Sequence, residues 1–505
     1  MYLHSLKLKN FKGFRGESQE IIFHGPNGDP GSGLNILVGE NNVGKSTLLQ
    51  AICFLMNLTR HSQNPTSIGS DGAPVSEECA VIGEFADSSS EEMMRTLEAV
   101  ISENKDKDTM KEALTASGHL RVRRSLNNFE KTGILAEKGG FHEKSSNPTS
   151  LDFVISRAID LHPLWASVEV EHLASFRFNT LSQKLLGDIF KTAEKSLDYK
   201  QFCKAFNDCF SGQKSSFRKE IQTIENQVSD QFRCFFGDGT IRFGFPEPKL
   251  STLIRTLTPM LDLGNALPLT EHGQGVQRMT ALALLVAWAS IHSNKTVGSR
   301  KPYIFLLDEP EICLHPRGQA RLLEALLTIS KFYQVIVTTH SPIFLHSPAV
   351  RTANLLLCRR DDSTASNVVV SQTQFESLFL HGPTWGEICW HAYKMPTVEF
   401  HDELYSYLQD RSGSATVAAA DKLLRLSFDE MNEHHTPCMW TRKDNRGKDR
   451  RDKLTLSSCI RNSVHHPENK CMGAGFVEKN LEESINVMLR VIKHLRAKEE
   501  AQLAE

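Results

Sequence analysis

The 505-residue sequence has almost no net charge. It carries 58 lysines and arginines against 60 aspartates and glutamates, a formal −2 at neutral pH. That balance excludes a cationic coat over the whole surface, so any contact with nucleic acid has to come from a local patch. The eleven cysteines, scattered from Cys53 to Cys471, include no C-x-x-C pair and are odd in number. This argues against a disulfide scaffold and makes a reducing cytoplasm the expected compartment. Long apolar runs are also missing. The longest, Met279 to Ala289, is too short to span a membrane. The N-terminal MYLHSLKLKNFKGF alternates like a strand and lacks the charged-then-apolar plan of a signal peptide. There is no internal repeat. What remains is an ordinary globular composition, 40% hydrophobic and 23% charged, in a chain long enough for about three or four domain-sized pieces.

The first 56 residues predict strand, strand, turn, strand and helix. Tyr2 to Asn10 alternates, Glu20 to Phe23 is a short partner, and a cluster of Gly and Pro from Pro26 to Gly33 is a turn. Leu34 to Val38, apolar except for Asn35, predicts a buried strand, and Ser46 to Met56 has helical spacing. The polar stretch from Asn57 to Glu78 predicts a surface loop, and Cys79 to Phe85 a strand. Ser90 is the expected cap of a helix reaching Ile101. Between Asn104 and Ser150 only Leu120 to Arg123 has a strand pattern. Leu181 to Phe235 is helical by pattern, with Leu181, Leu185, Leu186, Ile189 and Phe190, then Phe202, Phe206 and Phe210, on apolar faces. It is too short and irregular for a long coiled-coil arm. Strand chemistry returns after Thr240, and Gln372 to Glu505 is mostly helical.

Residues 39–47, GENNVGKST, fit the phosphate-loop pattern G-x-x-x-x-G-K-[ST] and lie between an apolar strand and a helix, the context the motif requires. Gly39 and Gly44 allow the tight turn that aims the amides of the loop, through Asn41, Asn42 and on to Thr47, at phosphate oxygens. Lys45 is placed to reach the β- and γ-phosphates and Ser46 to bind Mg²⁺. Some 260 residues on, the apolar run Tyr303 to Leu307 ends in Asp308 and Glu309. Mg-nucleotide hydrolysis needs such a pair, with Asp308 holding the metal and Glu309 polarising water. The strand Gln334 to Val337 then leads into Thr338-Thr339-His340-Ser341-Pro342, where His340 is the expected γ-phosphate sensor. Between them, His272-Gly273-Gln274-Gly275-Val276-Gln277-Arg278 opens a helix with free backbone amides, a second anion-binding surface.

Together these motifs resemble the ABC-type ATPases of the SMC and RecF class. HGQGVQR, FLLDEPEICLHP and TTHSP, with the N-terminal LKLKNFKGF, look more closely like the OLD-type defence ATPases. The resemblance covers about residues 1–350 without 104–235. It implies an α/β fold: an ABC-type head with a mixed sheet and flanking helices, a helical insertion, and a mainly α C-terminal domain. The expected divisions are 1–103, the N-terminal part of the head, and 104–240, a poorly patterned lobe and helical insertion. Residues 241–371 form the rest of the head, and 372–505 an accessory or partner-binding domain. The resemblance also implies that two heads sandwich ATP in a homodimer or higher homo-oligomer, with Gly273, Gly275 and Gln277 of one closing over nucleotide on the other. Gly273 stands where many ABC proteins carry a serine, and the glutamine loop after the first helix has no clear position.

OLD-type nucleases continue into a Toprim domain that needs a D-x-D pair, and residues 351–505 contain none. The tail instead carries a basic stretch after Trp440, with Arg442, Lys443, Arg446, Lys448, Arg450, Arg451 and Lys453 against three aspartates. Such a stretch suits either a solvated loop or a grip on DNA or RNA backbone. Arg461, Asn462 and His466 in IRNSVHHPEN resemble the HEPN ribonuclease signature, and equally suit a hydrogen-bonded helix end before Pro467. His434, His435, Cys438 and Cys471 are too irregularly spaced for zinc. From Glu478, Leu481, Ile485, Met488, Leu489, Ile492 and Leu495 mark an amphipathic helix, a packing or assembly face. A head whose tail lacks Toprim and carries this segment resembles the PtuA-type ATPases of Septu and retron-associated antiphage systems. The partner implied is a separately encoded HNH nuclease, PtuB-like, with no membrane contact. Two other readings stay open: an ATPase-regulated HEPN-like ribonuclease, and a RecF-like DNA-repair clamp.

Overall fold

The computed structural model describes residues 1–56, 66, 78–101, 114–126, 133–135, 141–142, 154–166, 193–212, 214–253, 259–293, 302–361, 363–371, 377–379, 383–435, 437–443, 447–467 and 477–504. Leu181, Leu185, Leu186, Ile189, Phe190, Arg446, Cys471 and most of the 57–78 stretch lie outside them. In chain order come strands β1 (Tyr2–Phe11), β2 (Phe14–Glu17), β3 (Ile21–Ile22) and β4 (Leu34–Val38), helix α1 (Lys45–Leu55), β5 (Ala80–Ala86) and α2 (Ser90–Glu98). Then follow β6 (Leu120–Ser125), β7 (Gly133–Leu135), β8 (Phe141–His142), α3 (Val154–Ala158) and β9 (Asp160–Leu164). The α2 cap is Ser89, whose hydroxyl accepts from the Glu92 amide, so the expected cap at Ser90 is one residue late. Helices α4 (Leu197–Phe210) and α5 (Ser216–Phe236) form the helical insertion, and Phe206 and Phe210 stack at 4.3 Å.

After the hairpin β10 (Met260–Asp262) and β11 (Ala266–Pro268) come α6 (Gln274–Ser293), β12 (Tyr303–Asp308), α7 (Pro316–Ile329) and β13 (Gln334–Thr338). They are followed by α8 (Pro342–His346), β14 (Asn354–Asp361) and β15 (Ser366–Ser371). The tail contains α9 (Trp385–Tyr393), α10 (Val398–Arg411) and α11 (Val417–Met431), then β16 (Cys438–Lys443), β17 (Asp449–Leu454), α12 (Leu456–His465) and α13 (Glu478–Ala504).

Two sheets build the head. One is antiparallel, in the order β2-β1-β5-β6-β7-β8 with β3 beside β1. The other runs β15-β14-β4-β13-β12-β9, parallel except for the β14–β15 hairpin. Its central strands are buried on both faces, which explains why Ile36 to Val38 and Ile304 to Leu307 read as continuous apolar runs. Alternation then divides each strand between two cores. Leu37, Ile304, Leu306 and Ile336 face α1 and the antiparallel sheet, while Ile36, Phe305, Leu307, Val335 and Val337 face α6, α7 and α8. Helix α1 is therefore held between the two sheets, with Leu48, Leu49, Ile52 and Cys53 buried. Strand β9 had no sequence signal, yet it pairs parallel with β12 from Tyr303↔Asp160 to Leu307↔Leu164.

Helices α10 to α13 enclose a third core. Phe400, Leu404, Leu424, Phe428, Ile460, Leu481, Ile485, Met488 and Ile492 meet there, so the amphipathic face of α13 packs within the chain. The basic stretch, read from sequence as either a solvated loop or a nucleic-acid grip, is a two-stranded hairpin, β16–β17, in register from Cys438↔Leu454 to Lys443↔Asp449. Its strands are mostly exposed and charged, so it lacks the apolar alternation by which strands are read from sequence.

Where α9 meets α10, Thr384 donates to Glu403 at 2.6 Å. Burial, then the nearby Glu387 and Glu399, push the Glu403 carboxyl up to about 7, from an ordinary 4.5. The folded chain thus keeps a proton that the unfolded chain has lost, and stability declines as pH rises from 4.5 to about 7. Glu403→Gln should flatten this decline in urea midpoints taken between pH 5 and 7.5. An unchanged slope would contradict the assignment.

Candidate nucleotide site

The loop of residues 39–47 leaves β4 and enters α1. Two of its turns require glycine. Gly39 has φ +149°, and a Cβ there would lie 2.1 Å from the Cys358 carbonyl oxygen; Gly44 has φ +96°, and a Cβ would approach Asn367 Nδ2 to 2.7 Å. The β14–β15 hairpin therefore supports the loop from behind. No side chain caps α1, so its first amides are left for an external acceptor. Lys45 is buried, and its ammonium donates to the carbonyls of Gly39 at 2.9 Å and Glu40 at 2.7 Å. Burial holds it below the usual lysine range, against the pull of nearby acids.

Asp308, at the end of β12, is fixed from two sides. Its Oδ1 accepts from Ser46 Oγ at 2.8 Å and from Thr338 Oγ1 at 2.8 Å. Glu309 follows in the left-handed region, φ +45°, a conformation costing about 1–2 kcal/mol for a non-glycine residue. It is held there by its own amide, which donates to the Thr338 carbonyl at 3.1 Å and hydroxyl at 2.9 Å. Arg278 donates to the Glu309 carbonyl at 3.5 Å and also to that of Ala166. The result turns the Glu309 carboxylate toward His340, with Oε1 3.6 Å from Nε2.

Behind these groups, Glu311 accepts from Thr339 Oγ1 at 2.6 Å and from the His340 amide at 2.8 Å, which fixes the switch backbone. Burial raises the Glu311 carboxyl above its usual value. Burial first, and Lys45 second, lower His340 below 6.5, favouring the neutral ring. His340 Nε2 is buried and, among the described residues, has no hydrogen-bond partner, its nearest acid being Glu309 at 3.6 Å, so the site has a polar atom available to a bound oxygen. The Ser46 hydroxyl and Asp308 carboxylate are hard oxygen donors of the kind Mg²⁺ takes. The residues present fit the nucleotide and metal that the motifs imply.

The fold therefore brings Gly39, Gly44, Lys45, Ser46, Asp308, Glu309 and His340 together. Asn41 and Asn42 are exposed on the loop, and Thr47 is half-buried in the first turn of α1. Gly273, Gly275 and Gln277 lie at the start of α6. A Cβ on Gly275 would meet the Cys313 carbonyl at 2.5 Å, whereas Gly273 has open space around it. Gln277 is buried, and its amide donates to the carbonyls of His272 at 2.6 Å and Thr270 at 3.3 Å. Arg461 and Asn462 sit on α12 and His466 is its C-cap; all three belong to the C-terminal unit and line a separate cleft. Thr338, Glu311 and Arg278 were missed as site residues. Each stands inside a quoted motif, but its role depends on where the neighbouring strand ends.

This architecture is that of an ATPase head of the ABC type. The chain belongs to the RecF/RecN/SMC N-terminal domain family, whose model matches residues 2–355. It is also similar to the Old nuclease of Escherichia phage P2, 25% identical over 357 residues, 68% of this chain and 58% of that protein. The chain thus spans somewhat over half the length of that relative. Solved structures similar to it include an Smc head bound to the C-terminal winged-helix domain of ScpA, with 17% identity over 74% of this chain and 97% of that one and a TM-score of 0.41. Another is the SMC head domain from Thermotoga maritima, with 17% identity, 74% and 99% coverage and a TM-score of 0.33.

Thr338→Val keeps the side-chain volume but leaves Asp308 and the strained Glu309 amide short of one partner each. A loss of about 1–3 kcal/mol in unfolding free energy is expected from denaturant melts. No loss would show that the hydroxyl does not hold the acidic pair.

Proposed function

We propose that this chain is an ATP-binding and ATP-hydrolysing subunit of an antiphage defence complex, one that regulates a separately encoded HNH nuclease. The observation that carries the ATPase part is the meeting of the phosphate loop, Asp308, Glu309 and His340 through the shared Asp308 oxygen. ATP phosphates are received by the amides of the loop and by Lys45, which exchanges its contacts with the Gly39 and Glu40 carbonyls for phosphate oxygens. Ser46 and Asp308 would hold Mg²⁺, which would supply positive charge against the phosphates. Glu309 accepts the proton of the attacking water, and neutral His340 donates to the γ-phosphate from Nε2.

The open surroundings of Gly273 support a second copy approaching this turn, with Gly273 and Gly275 contributing amides across a homodimer or larger homo-oligomer and Gln277 holding their shape. The regulatory role rests on the tail. The family relative is named a nuclease, while residues 351–505 here have no D-x-D pair and carry an IRNSVHHPEN segment that resembles PtuA-type ATPases. A separate PtuB-like nuclease then supplies cleavage.

Lys45→Ala should abolish ATP binding in calorimetric titration, while Glu309→Gln should bind ATP and hydrolyse it at least a hundredfold more slowly. Retained ATP affinity in Lys45→Ala would overturn the site. Gly273→Ala should leave thermal stability unchanged and lower ATP turnover, because the added methyl meets nothing within its own chain. Co-expression with an HNH reading frame tests the partner, and absence of a copurifying complex counts against it.

A further inference from the structure

Away from the nucleotide site, the hairpin β16–β17 leans over α11 and α12 and encloses a cleft of about 730 Å³. Its rim carries four permanent cations, Arg442, Arg450, Lys453 and Arg461. Among the described residues that line the cleft, two carboxylates face them, and both are committed. Asp421 accepts from the Thr455 amide at 2.7 Å and hydroxyl at 2.8 Å, and from Arg425 at 2.8 Å. Asp452 takes the Nε edges of Arg442 at 3.0 Å and Arg450 at 2.9 Å, one on each oxygen. It therefore sets two guanidinium groups side by side while engaging only one N–H of each. Among the described residues, Lys453 makes no ion pair and the polar contact of Arg461 is one of 3.4 Å to the side chain of Asn462.

The floor is of a different kind. Trp440, 4% exposed, lies there with Val417, Ala418 and Leu454. Paired guanidinium edges match phosphate geometry. An apolar aromatic floor in a concave site of this volume suits a base or sugar. An acidic peptide would use the rim and leave the floor unfilled. A base stacked inside a duplex cannot reach the floor, which restricts the ligand to a single strand.

We propose that this cleft binds single-stranded nucleic acid, with phosphate on Arg442, Arg450, Lys453 and Arg461 and a base or sugar against Trp440. The site is independent of the ATPase reading, since none of its residues touches the nucleotide loop.

The test uses the full chain and fluorescence anisotropy with a labelled 15-nucleotide RNA, the matching single-stranded DNA, the matching duplex and a labelled polyglutamate peptide, over a NaCl series. Tighter binding of one or both single strands than of duplex or peptide is expected, and the RNA and DNA arms identify the source. Lys453→Glu and, separately, Arg461→Ala should each raise the single-strand Kd at least tenfold and reduce the salt slope by about one to two. Melting curves and ATP turnover should stay unchanged, which separates a lost site from a lost fold. No single-strand binding at 50 mM NaCl, equal affinity for polyglutamate, or unchanged Kd in both variants would overturn the proposal.

Discussion

One carboxylate oxygen organises the head. Asp308 Oδ1 accepts hydroxyl protons from Ser46, in the first turn of α1, and from Thr338, at the end of β13, so three chain segments converge on one atom. The register of the parallel sheet makes this possible, because Asp308↔Thr338 is the last pair of the β12–β13 ladder and Thr338↔Leu37 the last of β13–β4. A one-residue slip would turn Asp308 to the opposite face and leave a buried carboxylate without donors. The apolar runs fix that register by dividing their side chains between two cores, so packing far from the loop determines where the carboxylate ends up.

Most of this was legible because it is local. A phosphate loop, an acidic pair after a strand and a histidine after the next strand each state their chemistry within ten residues, and the burial of β4, β12 and β13 shows as largely apolar sequence. What escaped is what depends on assembly. Glu311 reads as one more acid in a motif until the fold places it under the Thr339 hydroxyl and the His340 amide. Strand β9 is too mixed in character, with His162 and Pro163 among its five residues, to be separated from loop; pairing with β12 alone defines it. The hairpin β16–β17 escaped for a related reason, since its charged strands take their order from backbone pairing.

The near-zero net charge conceals an uneven distribution. In the head, Asp308, Glu309 and Glu311 cluster at the end of β12, where hydroxyls and an amide hold Asp308 and Glu311. In the tail, Arg442, Lys443, Arg450, Arg451 and Lys453 share one short hairpin, where Asp452 spaces Arg442 and Arg450 without cancelling them. Averaging over the chain removes both features, which explains why composition excludes a global polyelectrolyte role and is silent about local ones.

Helix α9 joins the two units physically. Ile388 and Ala392 complete the core formed by α6, α7 and α8, while Trp390 on the same helix packs toward the C-terminal core, its ring 6.1 Å from that of Phe400. A capping box at Thr384 and Glu387 fixes the start of the helix, and Tyr393 at its end places its ring 5.9 Å from the His340 imidazole. Helix α9 therefore touches both the His340 ring, through Tyr393, and the C-terminal core, through Trp390.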